Sequence, residues 1–124
     1  MVSILAGKIR SYQDLEIWQR SVQLVETIYR ITNEFPKEEL YGLTSQIRRA
    51  VTSIPSNIAE GFARKHNKEF RQFLYVSLGS CAEVSTQTII ASKLSYIDDT
   101  KADVLLKEIE EISKMTMSLI KKLN

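Results

Sequence analysis

Apolar residues recur every three to four positions along almost the whole chain, the spacing that places them on one side of an α-helix. Only two prolines and four glycines interrupt the 124 residues, so few positions can end a helix or form a tight turn. The pattern excludes an all-β or loop-rich fold. It predicts an all-α chain whose helices span about residues 14–34, 41–63, 67–96 and 101–123.

Short connections between these helices favour an antiparallel, up-and-down four-helix bundle. We expect one domain over residues 1–124, in which residues 1–11 form an N-terminal arm before the first helix.

Pro55 lies inside the second predicted helix and is expected to kink it, because proline lacks the backbone donor of a helical turn. Three small polar residues surround it: Ser53, Ser56 and Asn57. They either satisfy backbone groups near the kink or form a polar contact surface, and the sequence leaves both interpretations open.

The first and third predicted helices are apolar over more of their circumference than one bundle contact needs. On the first helix the apolar residues cover about 200° of the helical wheel, whereas a stripe a little over 100° wide is enough for a bundle helix. We therefore expect these helices to pack against a second copy as well, which makes the protein a homo-oligomer. The residues expected at that interface are Ile17, Leu24, Ile28, Ile31, Phe73, Val76 and Ile90.

Positive charge is concentrated in the middle of the chain. The whole chain has a net charge of +2, whereas residues 45–71 alone carry +4. Basic side chains along one edge are typical of proteins that bind a phosphate backbone, although a solvated turn with ordinary helix-end charges accounts for the same pattern. The candidate nucleic-acid-binding residues are Arg48, Arg49, Arg64, Lys65, Lys68 and Arg71.

Glu83 is the one charged residue between Gln72 and Ser92, so it is expected to lie on a buried face. A buried carboxylate must be paired or protonated. We hypothesise a polar network of Arg49, Glu60 and Glu83 that fixes helix register or a subunit contact. The alternative is that Glu83 faces a wet channel.

The chain lacks the residues that metal sites and enzymes of this size commonly use. It holds one cysteine, Cys81, and one histidine, His66, which exclude an intrachain disulfide, a Cys/His zinc site and the paired Glu-x-x-His motifs of di-iron bundles. We expect a non-enzymatic protein with no metal and no cofactor. Since no stretch is apolar enough for a signal peptide or a membrane span, a cytoplasmic location is expected.

Several motifs resemble a known family over about residues 11–123. They are the runs at 12–19, 35–36 and 41–43, then Gln46-Ile47-Arg48-Arg49-Ala50, the run Ser53-Ile54-Pro55-Ser56-Asn57-Ile58-Ala59-Glu60-Gly61, and Phe73-Leu74 followed by Gly79-Ser80 and Glu83. The chain resembles the four-helix-bundle protein family encoded within intervening sequences of bacterial 23S rRNA genes. The run from Ser53 to Gly61 is the most specific of these motifs.

The resemblance implies a left-handed four-helix bundle that assembles as a ring-shaped homopentamer. It also implies kinship to the accessory variability determinant of diversity-generating retroelements, a basic pentameric barrel that works with a reverse transcriptase and RNA. It offers no catalytic residues. The first interpretation is thus a non-enzymatic oligomer that binds structured RNA, such as ribosomal or intervening-sequence RNA. The alternative is a scaffold that docks a partner protein without touching nucleic acid. A nucleic-acid-processing protein is a further candidate partner.

Overall fold

A computed structural model describes residues 9–124, and within them the chain forms four α-helices and no β-strand. The helices are α1 (Glu16–Thr32), α2 (Leu43–Ala63), α3 (Asn67–Lys93) and α4 (Asp99–Lys122). The all-α class predicted from the apolar spacing is confirmed. Residues 1–8 of the predicted N-terminal arm lie outside the described residues.

Each helix contacts its neighbours in chain order, and α4 also contacts α1, so the four helices surround a common core. Because the connections are short, consecutive helices run antiparallel, and α3 lies diagonally across the bundle from α1. The contacts between α1 and α4 are the sparsest of the four neighbouring pairs. The largest fully buried side chains include Ile28, Ile54, Ile58, Phe70, Leu74 and Ile112.

Pro55 lies within α2 as expected, and side chains near it bond to backbone carbonyls of residues 52–54. Ser56 Oγ donates to the carbonyl of residue 52 at 2.8 Å, and Asn57 Nδ2 donates to that of residue 53 at 2.8 Å. From α3, Ser77 Oγ donates to the carbonyl of residue 54 at 3.0 Å. Ser56 and Asn57 thus bond to the backbone as in the first interpretation, whereas Ser53 makes a polar contact with Ser80 of α3, as in the second.

The packing of α2 against α3 depends on small residues at the contact. The hydroxyl oxygens of Ser53 and Ser80 lie 2.8 Å apart. At Gly61 a side-chain Cβ would stand 2.6 Å from Phe73 Cβ, a distance that real Cβ atoms do not adopt. Gly61 is therefore required where the α2 backbone packs against Phe70 and Phe73 of α3.

Three of the residues predicted at the oligomer interface lie instead in the core of the chain. Ile17, Leu24 and Ile28 are only 4%, 2% and 0% exposed. The prediction was wrong for them because α1 packs against both α2 and α4. These two contacts together bury the wide apolar stripe of α1 within the chain. The other four are half-buried or exposed: Ile31, Phe73, Val76 and Ile90.

Candidate nucleic-acid interface

The antiparallel helices bring three basic helix termini to one end of the bundle. Arg71 Nη1, near the start of α3, donates a hydrogen bond to the Leu123 carbonyl at the end of α4. The connection between α2 and α3 lies at the same end, where the rings of Phe62 and Phe70 pack edge to face at 5.8 Å. This basic end, residues 60–71 and 121–122, holds six Lys or Arg and two Glu residues. Its cations are Arg64, Lys65, Lys68, Arg71, Lys121 and Lys122.

Two of the predicted binding residues lie far from this end. Arg49 precedes Arg64 by fifteen residues on α2, which corresponds to about 22 Å along the helix axis. Arg48 lies beside it. The six predicted residues therefore do not form one cluster, because a charge count over consecutive residues ignores the length of the helix that separates them. A role of Arg48 and Arg49 in nucleic-acid binding stays a prediction.

Arg48 also has a structural role between α1 and α2. Its Nε donates to Thr32 Oγ1 at 2.9 Å, and its Nη2 donates to Asn33 Oδ1 at 3.0 Å. The guanidinium lies 4.7 Å from the centre of the Tyr29 ring, within the range of a cation–π contact. These contacts fix Arg48 against α1 and leave it poorly placed to reach a phosphate.

The cations of the basic end differ in how strongly the chain holds them. Arg64 forms an exposed ion pair with Glu60 at 3.2 Å and lies 5.1 Å from the centre of the Phe73 ring. Lys65 and Lys68 are exposed, and neither has an ion-pair partner among the described residues. Their charges are therefore available to a ligand, whereas the Arg64 charge is partly neutralised.

Lys121 and Lys122 were not among the predicted binding residues. Both are exposed in the last turn of α4, where the helix dipole favours cations. Sequence reasoning missed them because residues 98–124 as a whole carry a net charge of −1. The predicted up-and-down topology was the signal that could have found them, since it places the end of α4 beside the turn between α2 and α3.

Charge is distributed unevenly along the bundle axis. The start of α1 adds Arg10, Asp14 and Glu16 to the basic end, which then carries a net charge of +3. Asp14 accepts hydrogen bonds from the backbone N–H groups of Arg10 at 2.9 Å and Ser11 at 3.0 Å, which lower the pKa of its carboxyl. At the opposite end, residues 30–49 and 93–103 hold six basic and six acidic side chains. Among the described residues, 9–124, the basic end is therefore the one that attracts anions over a distance.

The predicted network of Arg49, Glu60 and Glu83 does not form within the chain. Glu60 pairs with Arg64 instead, and both Arg49 and Glu83 are exposed. Within one chain the network prediction was wrong, because it treated a scarcity of charge on α3 as burial. The alternative, in which these residues meet at a subunit contact, stays a prediction. The outer surface of α3 carries few charges and yet faces solvent in the single chain.

The described residues contain no group of three or more His, Cys, Asp or Glu side chains placed to hold a metal ion. Cys81 is buried, and burial raises the pKa of its thiol. Within the same residues no helix is both long and apolar enough to cross a membrane.

Comparisons with known proteins identify the family. Residues 13–118 match the family described as 23S rRNA-intervening sequence protein. The fold is similar to the crystal structure of a protein of unknown function from the S23 ribosomal protein family of Bacteroides thetaiotaomicron, with a TM-score of 0.76 and 22% identity over 85% of this chain and 98% of that one. No curated protein matched the chain. Since the family match covers most of the sequence, the chain belongs to the 23S rRNA-intervening sequence protein family.

Proposed function

We propose that this chain is a non-enzymatic cytoplasmic protein that assembles as an oligomer and binds structured RNA through the basic end. The observation that carries the proposal is the convergence of six cationic side chains from three helix termini. Phosphate contacts by Lys and Arg supply most of the affinity of sequence-independent nucleic-acid binding. The family name records a link to a 23S rRNA gene and agrees with an RNA ligand.

The two aromatic rings that pack together at the turn between α2 and α3 do not form an open platform for bases. Phe70 is fully buried there and Phe62 is half-buried against it, so neither ring can stack on an unpaired base. RNA proteins that read single-stranded sequence rely on such exposed aromatics, whereas duplex RNA is recognised by its shape and its phosphates. We therefore propose a folded or double-stranded RNA as the ligand, bound with little sequence preference.

The outer face of α3 supports self-association. Five of its apolar side chains are between 41% and 54% exposed: Tyr75, Val76, Ile89, Ile90 and Leu94. Exposed apolar side chains gathered on one face of a helix commonly mark a protein interface. A homo-oligomer would bury this face, and the left-handed bundle and ring-shaped homopentamer implied by the family resemblance belong to the same proposal.

A salt titration with matched variants tests the RNA-binding proposal. The probes are a 23S rRNA intervening-sequence hairpin and an unrelated hairpin, each titrated from low to physiological salt. The test variant changes Lys68, Lys121 and Lys122 to Gln at the basic end. The control variant changes Lys37, Lys93 and Lys101 to Gln, which removes the same charge from exposed positions at the opposite end.

We expect the wild-type affinity to fall steeply with salt. The test variant should bind at least about tenfold more weakly, with a shallower salt dependence, because each lost phosphate contact removes nearly one counterion from the slope. The control should bind like the wild type. If neither hairpin binds the assembled protein at low salt, the RNA proposal is wrong, and a scaffold for a partner protein becomes the better interpretation.

A further inference from the structure

An open groove runs between α1 and α4, where the bundle contacts are sparsest. Its volume is about 460 Å³, and Leu24, Leu105 and Val104 provide its apolar lining. Val104 is 65% exposed although it is apolar. Arg20 and Glu108 bridge the rim, with N–O distances of 2.7 and 3.0 Å.

The outer face of α3 exposes five large apolar side chains, whereas the groove exposes one, Val104, among polar and charged lining residues. The outer face carries one charge, Glu83, between Gln72 and Ser92. Gly79 lies near its centre and has open space where a Cβ would stand. Since no side chain projects from the helix at this position, the backbone of another chain can approach closely. Exposed apolar side chains grouped on one face commonly mark a surface that another molecule covers.

The groove lies level with one part of the outer face, the part that contains Ile89 and Ile90. Arg71 bonds to Leu123, and Cys81 lies beside Ser113. The helices α3 and α4 therefore run antiparallel, and moving ten residues forward along α3 corresponds to moving ten residues back along α4. The same register places Ile90 of α3 level with Val104 of α4. The most exposed apolar side chain of the groove is thus level with the two isoleucines of the outer face, 89 and 90.

We propose that the outer face of α3 in one copy docks into the α1–α4 groove of the next copy, with Ile89 and Ile90 against Val104. The proposal rests on the oligomer of the proposed function and names the two surfaces that form it. Because α3 lies diagonally across from α1, the surfaces face different directions and make a heterologous, head-to-tail contact. Contacts of this type generate a ring when the rotation closes. The equal heights fit a ring whose axis runs parallel to the helices.

Two single substitutions separate the surfaces. Ile90→Glu places a charge on the outer face, and Val104→Glu places one in the groove. Both positions are exposed in the single chain, so each variant should fold, which circular dichroism and the melting temperature would verify. Leu40→Glu is the matched control, because Leu40 is 48% exposed and lies outside both surfaces.

Light scattering after gel filtration gives the masses. We expect the wild type and Leu40→Glu to be oligomers and each test variant to be a monomer. An equimolar mixture of the two test variants should form a dimer and nothing larger, because Ile90→Glu keeps an intact groove and Val104→Glu keeps an intact outer face.

The other outcomes separate this inference from the proposed function. A monomeric wild type would overturn the proposed oligomer and this contact together, while leaving the RNA titration to judge the basic end. A wild-type oligomer that Val104→Glu leaves intact would overturn the groove assignment alone. Loss of assembly in Ile90→Glu with no rescue in the mixture would indicate a symmetric contact between two α3 helices, which also contradicts the proposal.

Discussion

Glu39 links the start of α2 to the connection between α3 and α4 through its two carboxylate oxygens. Oε1 accepts a hydrogen bond from the Leu43 backbone N–H at 3.1 Å, and Oε2 accepts one from the Tyr96 hydroxyl at 2.8 Å. These bonds lower the pKa of Glu39 and raise the pKa of Tyr96. One side chain thus caps a helix and ties it to the connection between α3 and α4.

We expect the stability of the fold to depend on the ionisation of Glu39. Its pKa in the folded chain lies below the unfolded value of about 4.3. The stabilisation is therefore complete above the unfolded pKa and is lost as the pH falls through the folded pKa. Glu39→Gln should melt at a lower temperature than the wild type at pH 7, and the difference should shrink as the solution is acidified.

Glu38→Gln is the control, because Glu38 is an exposed neighbour. Melting temperatures from neutral to acidic pH would measure both variants. A difference between Glu39→Gln and the wild type that stays constant through the acid range would contradict the assigned role of the ionised carboxylate.

Single residues show where sequence reasoning fails. The bond between Glu39 and Tyr96 joins positions 57 residues apart, and no local pattern announces it. Arg48 was predicted to bind nucleic acid from its charge, yet its hydrogen bonds to Thr32 and Asn33 make it a link between helices. A charged residue's role depends on its neighbours in space, which a single sequence does not supply.

At the scale of the helix pair, Gly61 sets how closely α2 approaches α3. A Cβ at this position would meet Phe73 Cβ at 2.6 Å and Phe70 Cδ1 at 3.0 Å. Gly61→Ala should destabilise the chain by about 1–2 kcal/mol, because overpacking costs more than the gain in helix propensity. Urea unfolding would measure the change.

Gly79→Ala is the matched control within α3, since nothing lies within 4 Å of its added Cβ in the single chain. It should stabilise the chain by up to about 1 kcal/mol. Both alanine variants are best compared in a Val104→Glu background, so that self-association does not contribute. Equal effects at Gly61 and Gly79 would show that α2 and α3 can move apart at no cost.

The sequence predicted the number and the bounds of the helices better than it predicted any other feature of the structure. Apolar spacing alone predicted four helices, and the observed elements begin and end within a few residues of the predicted ones. Interpretation of the apolar spacing failed where one sequence pattern has two possible structural causes. Scarcity of charge on α3 was interpreted as burial, although Val76 and Ile90 are about half exposed. Hydropathy shows that a face avoids charge but does not identify what covers it.

The whole molecule has properties that no single segment contains. The basic end exists because an up-and-down bundle gathers the end of α2, the start of α3 and the end of α4. The topology was predicted from the sequence, so the gathering of these termini was predictable too. The proposed contact between copies was predictable only on its α3 side, where Val76 and Ile90 were expected at an interface, because the groove between α1 and α4 is recognised only once the chain has folded.

The proposed self-association through the sides of the bundle would leave its ends free. In a ring whose axis runs parallel to the helices, every copy presents its basic end on the same side, and the positive potentials add. An RNA that contacts several copies at once then gains affinity without any new contact. Assembly and RNA binding should therefore be coupled, although different surfaces carry them.

Val104→Glu tests this coupling, because it alters the groove and leaves every Lys and Arg in place. Val104 is level with Ile90, about 28 Å along the axis from Arg71, so its added charge is screened from the basic end. We expect the monomeric variant to bind the RNA hairpin at least about tenfold more weakly than the wild type, with a shallower salt dependence. Leu40→Glu, with the same charge change, should bind normally. If Val104→Glu is monomeric and yet binds as tightly as the wild type, each basic end acts alone and the ring adds nothing to RNA recognition.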